Sequence, residues 1–448
     1  MTRDRQKPEV SRAIWIPFIW LFFSASRGRI SPAYLDAMDY VQGSPALRML
    51  YSSLILVGVI VLVKRGFTLR AFVRHNTLIF ALFVLMGTSI LWSAFPLISL
   101  KRWIKTVGVL VMVLLVLTES DPLKAFCSLI RRFSYAVLPL SIILIFFFPS
   151  FGRHTLPGDR VMWVGITAHK NTLAQAAVIG SLYFTWALTL KKEKERVFVD
   201  GAFLALSLFV IVGCESITAL FAYFTVLGTV LIVRFGRASV RYTGIIIVYL
   251  LSLVGSGYFI VDGLVARKPI APSVVGAFGR DMTFTGRTEL WADLWEIGTR
   301  RPVLGYGFGG FWVGDLANRL WEKYNWHPID AHNGYADVFL EMGLVGLVLM
   351  LLIILKTYKD ISAAFPTDVE GAGLRTMLFF MILIHNLNET SLCNLNHPFW
   401  FLFLFAAVVP PAGSHAQERL KPVTPAREPV SQESRAVACV QTQVQGAV

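Results

Sequence analysis

A histidine and several carboxyl groups lie close together near residue 330. Asp330, His332 and Asn333 are near neighbours, and Asp337 and Glu341 follow them in the sequence. The last two would share one face of a helix, because residues at positions i and i+4 are neighbours on a helix surface. An imidazole with a pKa near neutrality suits a general base that takes the proton from an attacking hydroxyl group. A lone histidine is more often structural than catalytic, but its polar surroundings make His332 our candidate for acid–base chemistry, and Asp330 and Asp337 could orient its ring.

Two other kinds of site can be weighed against this one. His327, Asp330 and His332 could suggest a metal site, but no further ligand lies at a firm spacing. The sequence also lacks the Asp-x-Asp pair of metal-dependent nucleotide-sugar transferases. Gly305 to Gly310 formally satisfies G-x-G-x-x-G, but it follows Pro302 and not a strand, so we interpret it as a close-packed turn. We predict no metal and no cofactor.

The composition of the chain indicates where these residues lie. Of its 448 residues, 55% are hydrophobic and only 16% are charged, and the mean hydropathy is +0.61. Soluble domains carry about 25% charged residues. Charge-free runs such as 78–91 and 344–355 suit helices in a hydrocarbon core, and they lack the alternation of a membrane barrel. The predicted fold class is an all-α integral membrane protein with about 12 transmembrane helices.

The connectors between the predicted spans carry the charges that fix the orientation. When the N-terminus is placed inside, every inner connector carries positive charge. This pattern accounts for the net charge of +14, so the charge does not indicate binding to nucleic acid. A basic N-terminus before a short apolar run also mimics a signal peptide, but we favour a retained first helix. The spans are predicted near residues 13–26, 47–63, 77–95, 103–119, 133–149, 171–190, 197–213, 216–233, 244–262, 336–355, 374–387 and 397–411.

The chain divides into four predicted parts. Residues 1–262 carry transmembrane helices 1–9, residues 263–335 form a large extracytoplasmic loop with short helices, residues 336–411 carry helices 10–12, and residues 412–448 form a disordered cytoplasmic tail. Inside the loop, the spacing of apolar residues predicts a helix over 286–298. The tryptophans of the loop suit either anchoring among lipid headgroups or stacking on sugar rings.

The motif at His332 resembles one family, the bacterial O-antigen ligases and the related O-antigen and exopolysaccharide polymerases. His332-Asn333, followed after nine residues by Gly343-x-x-Gly346, is similar to the signature of that family. Gly343 and Gly346 would also offer a smooth patch for close helix packing. Further motifs of the family occur in order over nearly the whole chain except the tail: Gly43-Ser44-Pro45, His169-Lys170-Asn171, Gly286-Arg287-Thr288-Glu289-Leu290-Trp291 and Arg301-Pro302-x-Leu304-Gly305-x-Gly307. The first two look closer to the exopolysaccharide-polymerase branch.

This resemblance implies a GT-C-like fold and an inverting, metal-independent glycosyl transfer. The implied donor is an undecaprenyl-diphosphate-linked oligosaccharide at the periplasmic face of the bacterial inner membrane. The active site of a multi-pass protein would then lie on the periplasmic side. The implied partners are the lipid bilayer, a flippase and a chain-length regulator, and they do not include nucleic acid.

The implied chemistry gives roles to the residues around His332. His332 would act as the general base or would position the acceptor. Asn333 beside it would bind substrate. Glu389 resembles an acidic position of the family, and it is a further candidate for substrate binding and a weaker candidate for the base.

Positive side chains would have to bind the diphosphate of the donor. Planar arginine side chains neutralise phosphate oxygens well. Arg287 is the first candidate, followed by Arg160, and Lys170 and Arg102 are further candidates near predicted outer helix ends. Arg102 equally suits snorkelling to lipid headgroups.

A transporter or a lipid-linked-sugar flippase is the main rival, since many helices alone say nothing about catalysis. Coupled transporters usually keep ionisable residues near the bilayer midplane and often show internal repeats. Asp337, Glu341 and His385 lie towards the ends of the predicted spans instead, which favours chemistry at the membrane surface. Among enzymes, a ligase and a polymerase differ in the acceptor, a lipid A core or another lipid-linked repeat unit. The motifs in the first half of the chain favour the polymerase.

Overall fold

The structure is a computed structural model, and it describes residues 10–30, 44–156, 160–190, 196–235, 287–324, 326–394 and 397–410. These ranges are mostly helical. Two short strands, β1 (Arg153–Leu156) and β2 (Arg160–Trp163), pair in antiparallel register. The helices are α1 (Trp15–Ile30), α2 (Pro45–Lys64), α3 (Leu69–His75), α4 (Thr77–Thr88), α5 (Pro96–Leu117), α6 (Pro122–Phe147), α7 (Pro149–Gly152), α8 (Lys170–Leu190), α9 (Val197–Gly213), α10 (Ile217–Phe235), α11 (Arg287–Thr299), α12 (Gly314–Lys323), α13 (Gly334–Ala364), α14 (Val369–Asn388) and α15 (Pro398–Ala407).

Length and hydropathy identify the helices that can cross a bilayer. In the described part of the chain, α2, α6, α8 and α13 are long and apolar enough to span a membrane, and the bent segment from Leu69 to Trp92 adds a fifth if it crosses as one unit. Helices α9 and α15 are apolar but shorter. The prediction of an all-α membrane protein is confirmed at this level. The number of spans stays a prediction, and residues 244–262, 263–286 and 412–448 lie outside the described residues.

Helices α8 and α14 form the most buried part of the bundle. Every residue of α8 from Leu173 to Trp186 is buried, and so is every residue of α14 from Thr376 to Asn386. Helix α8 packs against α6, α9 and α10, whereas α14 packs against α10, α13 and α15. The start of α8 and the end of α14 are therefore held by packing on several sides.

The predicted span 77–95 is bent where it begins. Helix α3 meets the following helical segment at 109°, with Asn76 between them. The side chain of Asn76 donates a hydrogen bond to the Val409 carbonyl oxygen at 2.9 Å and accepts one from the Val409 N–H at 2.8 Å. These two hydrogen bonds satisfy backbone groups just beyond α15 and fix the bend against it.

Gly343 breaks helix α13 where a loop docks onto it. Its φ of +64° and ψ of −162° take the neighbouring backbone groups out of the helical hydrogen-bond pattern. The loop supplies partners, because the N–H of Leu344 donates to the Pro302 oxygen at 2.8 Å and the N–H of Tyr306 donates to the Leu340 oxygen at 2.9 Å. Gly343 therefore permits the close approach of a loop backbone, and not the helix packing expected from the sequence.

We expect Gly343→Ala to destabilise the protein strongly. An alanine Cβ at this position would lie 2.2 Å from the Val303 carbonyl oxygen, and the backbone conformation, which is almost restricted to glycine, adds strain of about 1–3 kcal/mol. The thermal unfolding midpoint of the purified variant in detergent should fall by several degrees. Gly201→Ala in α9 is the matched control, since a Cβ there meets no atom within 4 Å. Equal midpoints for the two variants would contradict the docking role of Gly343.

Candidate active site

Four segments meet around one carboxylate, that of Glu389. His332 lies in the loop just before α13, Arg287 begins α11, and Asn171 lies in the first turn of α8. Glu389 is the C-cap residue of α14. Each of the other three side chains contacts Glu389, and Asn171 is separated from it by 218 positions in the sequence. The fold thus assembles this polar cluster from distant parts of the chain.

The ring of His332 is oriented by Glu389. Nδ1 of His332 lies 3.0 Å from Oε2 of Glu389. A carboxylate can only accept a hydrogen bond, so we assign the proton to Nδ1, which leaves Nε2 of the neutral ring as an acceptor. The side chains of His332 and Glu389 are 20% and 11% exposed, so the pair is shielded and yet reachable. An imidazole held in this way can accept a proton at Nε2.

The second oxygen of Glu389 binds two donors. Oε1 accepts from Nδ2 of Asn171 at 2.8 Å and from Nη2 of Arg287 at 3.2 Å. Nη1 of Arg287 donates to the Asn388 carbonyl oxygen at 2.7 Å, which places the cation at the C-terminal end of α14. Helix C-termini favour cations, because their last carbonyl groups carry partial negative charge. The guanidinium has further N–H groups that can bind an anion.

The charges of the cluster shift the pKa values of its members. Burial lowers the pKa of His332, but the negative charge of Asp330 and the hydrogen bond to Glu389 outweigh it, so the pKa lies above its ordinary value. Burial raises the pKa of Glu389, but the hydrogen bond from His332 and the charge of Arg287 outweigh this effect and hold the pKa well below its usual range. Glu389 is therefore an anion at neutral pH that favours the protonated form of His332.

The backbone at His332 adopts a left-handed conformation with a φ of +47°. Oδ1 of Asp330 accepts the backbone N–H of His332 at 2.9 Å and lies 3.6 Å from Nδ1 of its ring. The centroid of the Trp326 ring lies 5.4 Å from that of the imidazole. Such a backbone conformation costs about 1–3 kcal/mol in a residue other than glycine, so the surrounding contacts must hold it. Asp330 is thus placed to orient His332.

Asn333 links the start of α13 to the end of α14. As the N-cap of α13, its Oδ1 accepts from the N–H groups of Tyr335 and Ala336, each at 3.1 Å. Its Nδ2 donates to the Leu387 carbonyl oxygen at 3.3 Å, near the end of α14. The amide expected to bind substrate is therefore engaged in holding α13 to α14.

Asp337 does not contact the ring of His332, contrary to the expectation that it could orient it. Its carboxylate accepts from Nε1 of Trp312 at 2.8 Å, from the N–H of Ala331 at 3.1 Å and from the hydroxyl of Thr390. Asp337 thereby fixes the residue just before His332. The carboxylates near the ring are those of Glu389 and Asp330.

The remaining predicted cations lie at different places. Lys170 begins α8, next to Asn171 of the cluster. Arg102 lies in α5, donates to the Gly309 carbonyl oxygen at 2.7 Å and lines a cavity that Asp330 also lines. Arg160 begins β2, and its side chain lies outside the described residues. The structure therefore brings Arg287 into the cluster, places Lys170 in the same helical turn as Asn171 and places Arg102 at the cavity wall.

The sequence alone gives no role to Asn171 or Trp326. Asn171 belongs to the motif His169-Lys170-Asn171, so the family resemblance offered a signal for it. For Trp326 the sequence shows only an aromatic residue, because its proximity to His332 depends on the fold of the loop.

His327, one of the three residues that could suggest a metal site, stacks on Trp321 with a centroid distance of 5.0 Å. Across the described ranges, no three His, Cys, Asp or Glu side chains are arranged to hold a metal ion. The metal-independent character of the site stays a prediction.

These features define a class, a helical membrane protein with a histidine, a carboxylate and an arginine gathered where its helices end. Residues 202–351 match the O-antigen ligase family, and they include both Arg287 and His332. This match to an O-antigen ligase domain confirms the resemblance seen in the motifs.

Individual relatives extend the similarity beyond this domain. The chain is 27% identical over 289 residues to the exopolysaccharide production protein ExoQ of Rhizobium meliloti. This match covers 62% of this chain and 64% of the relative. It is 28% identical over 131 residues to a protein of Rickettsia felis that is provisionally named a polysaccharide ligase, covering 28% of this chain and 32% of the relative. The matches thus span less than two thirds of the length of these curated relatives.

Proposed function

We propose that this protein polymerises undecaprenyl-diphosphate-linked oligosaccharide repeat units into exopolysaccharide at the periplasmic face of the inner membrane. The reaction is an inverting glycosyl transfer that needs no metal. The observation that carries this proposal is the contact of His332 with Glu389, with Arg287 bound to the same carboxylate. The cluster combines a proton acceptor with a cation, the two groups that the transfer requires.

Each group acts at one point of the reaction. Nε2 of His332 takes the proton of the acceptor hydroxyl as the hydroxyl oxygen bonds to the anomeric carbon of the donor. The bond from that carbon to the diphosphate oxygen breaks with inversion, and its electron pair leaves on undecaprenyl diphosphate. Arg287 offers planar donors to the diphosphate, and Lys170 adds positive charge beside the cluster. Glu389 stabilises the imidazolium that forms.

The similarity to ExoQ supports a role in exopolysaccharide production, and a ligase is a further candidate. The similarity to ExoQ extends over 62% of this chain, whereas that to the Rickettsia felis protein covers 28%. The second candidate is an O-antigen ligase that transfers glycan to a lipid A core, and the description of the matching family supports it. A lipid-linked sugar transporter or flippase is a less favoured alternative, because the ion-pair cluster lies at helix ends and not in mid-helix.

Deletion of the gene from its host tests the proposal directly. We expect the mutant to lose high-molecular-weight exopolysaccharide and to accumulate single lipid-linked repeat units on the periplasmic side, and the wild-type chain should restore the polymer. A ligase mutant would accumulate polymer that is not attached to lipid A. A flippase mutant would retain the repeat units on the cytoplasmic side. Either of the last two results would overturn polymerisation.

Glu389→Gln should move the acid limb of the pH dependence to lower pH. The base must be neutral, so activity is lost as the pH falls through the raised pKa of His332. Glutamine no longer favours the charged imidazolium, so this pKa falls and the limb shifts down with it. The maximal rate should fall too, because the imidazolium formed in the reaction is less stabilised.

Initial rates of glycan extension across the pH range measure this effect. The assay uses purified protein in detergent and the lipid-linked repeat units extracted from the deletion strain. The matched control is Glu296→Gln, because Glu296 forms an exposed ion pair with Arg300 and has a side chain that is 73% exposed. We expect its profile to equal that of the wild type. An unshifted acid limb in Glu389→Gln would show that this carboxylate does not set the pKa of the base.

A further inference from the structure

A polar cavity opens next to the candidate active site. Its volume is about 150 Å³, below the roughly 300–1,000 Å³ usual for ligand pockets, so it suits the end of a glycan and not a whole oligosaccharide. It is lined by residues of α5, of the turn at Gly305–Gly310 (the glycine turn) and the segment that follows it, of α12, of the loop before α13, of α13 itself and of the segment after α14. The cavity therefore shares the loop before α13 with His332, and it includes Thr390, the residue that follows Glu389.

Asp330 connects the cavity to His332. Its side chain lines the cavity, and its Oδ1 accepts the backbone N–H of His332 at 2.9 Å. The same oxygen lies 3.6 Å from Nδ1 of the imidazole. A ligand in the cavity would thus contact a residue that lies two positions before the candidate base.

The lining carries more carboxyl groups than cations. Asp330, Asp337 and Glu341 line the cavity, and Arg102 is the one basic side chain among its lining residues in the described part of the chain. Arg102 donates to the Gly309 carbonyl oxygen, which holds the glycine turn at the cavity wall. A diphosphate would find no net positive charge here, whereas carboxyl oxygens readily accept hydrogen bonds from hydroxyl groups.

Two tryptophans of the lining are fixed by their own hydrogen bonds. Nε1 of Trp312 donates to Asp337, and Nε1 of Trp321 donates to the Pro328 carbonyl oxygen at 2.8 Å. Their polar atoms are thus satisfied within the protein, and their rings offer rigid apolar surface to a ligand. Thr390 and Asn394 add polar groups to the same lining. Rigid aromatic rings next to carboxyl and amide groups suit a saccharide, which presents both C–H faces and hydroxyl groups.

We propose that this cavity binds the sugar end of the acceptor glycan, separately from the diphosphate of the donor. This inference rests on the proposed glycosyl transfer and adds to it a subsite for the acceptor. Asp330 lies at the end of that subsite nearest the base, where the attacking hydroxyl group would enter. Trp321 provides the ring surface for a sugar, and Arg287 binds the donor diphosphate outside the cavity.

Binding of two probes to the purified full-length protein tests the proposal. The first probe is the free repeat-unit oligosaccharide, released by mild acid from the lipid-linked units of the deletion strain, and the second is undecaprenyl diphosphate. Trp321→Ala should weaken oligosaccharide binding at least about tenfold and leave undecaprenyl diphosphate binding unchanged. Trp321→Phe, which keeps an aromatic ring, should recover much of the lost affinity. Arg287→Ala should show the opposite selectivity.

The matched control is Trp295→Ala, because Trp295 lies on α11 outside the cavity lining and is 67% exposed. It should bind both probes as the wild type does. Unchanged oligosaccharide binding in Trp321→Ala would overturn the acceptor subsite, and so would an equal loss for both probes. Failure of the wild-type chain to restore polymer in the deletion strain would instead overturn the proposed function.

Discussion

His332→Ala should abolish glycan extension while the protein remains folded and inserted in the membrane. The variant lacks the Nε2 atom that takes the proton from the acceptor hydroxyl. Loss of a general base typically costs about 10²- to 10⁴-fold in rate. The initial rate with extracted lipid-linked repeat units should therefore fall at least about a hundredfold. In the deletion strain, the variant should leave single repeat units unpolymerised.

The matched control for this variant is His75→Ala. His75 lies in α3 and contacts the Ala71 carbonyl oxygen within the same helix, so it has no part in the cluster. Its variant should support normal polymer at a similar level in the membrane. High-molecular-weight polysaccharide from cells that carry His332→Ala would contradict the assignment of the base.

Arg287→Ala should have the second largest effect, and it should act mainly through the donor. Hydrogen bonds to charged groups contribute about 1.5–3 kcal/mol each, so the loss of a cation at the diphosphate should lower kcat/KM by about 10- to 100-fold. The variant also releases one donor from Glu389, which loosens the partner of His332. Arg287→Lys should recover only part of the activity, since lysine keeps the charge but not the planar pair of donors.

Inhibition by undecaprenyl diphosphate distinguishes binding from a purely structural role. Its inhibition constant should rise in Arg287→Ala, because the variant binds the diphosphate less tightly. Arg300→Ala is the matched control, because Arg300 directly follows α11 and forms only an exposed pair with Glu296, which is worth about 0–1 kcal/mol. An unchanged inhibition constant in Arg287→Ala would remove Arg287 from the diphosphate site.

Much of the fold and part of the site follow from local sequence features. Helix α11 (Arg287–Thr299) agrees with the helix predicted over 286–298. The signals that predict it are the spacing of apolar residues and the glycine and proline at its end, and they act within one or two helical turns. The bend at Asn76 could not be predicted, because it depends on hydrogen bonds to Val409, 333 positions away. The break at Gly343 likewise depends on a loop that docks from outside the helix.

The sequence by itself determined that this chain is helical and strongly apolar, and that it carries a histidine motif that resembles the signature of the O-antigen ligases. Hydropathy, charge and motif spacing are properties of neighbouring residues, so they can be recognised without a fold. Only the tertiary structure decided that Glu389, and not Asp337, contacts the ring of His332, and that Asn171 and Arg287 share the same carboxylate. The packing of α8 and α14 sets these contacts, because it brings together residues far apart in the chain.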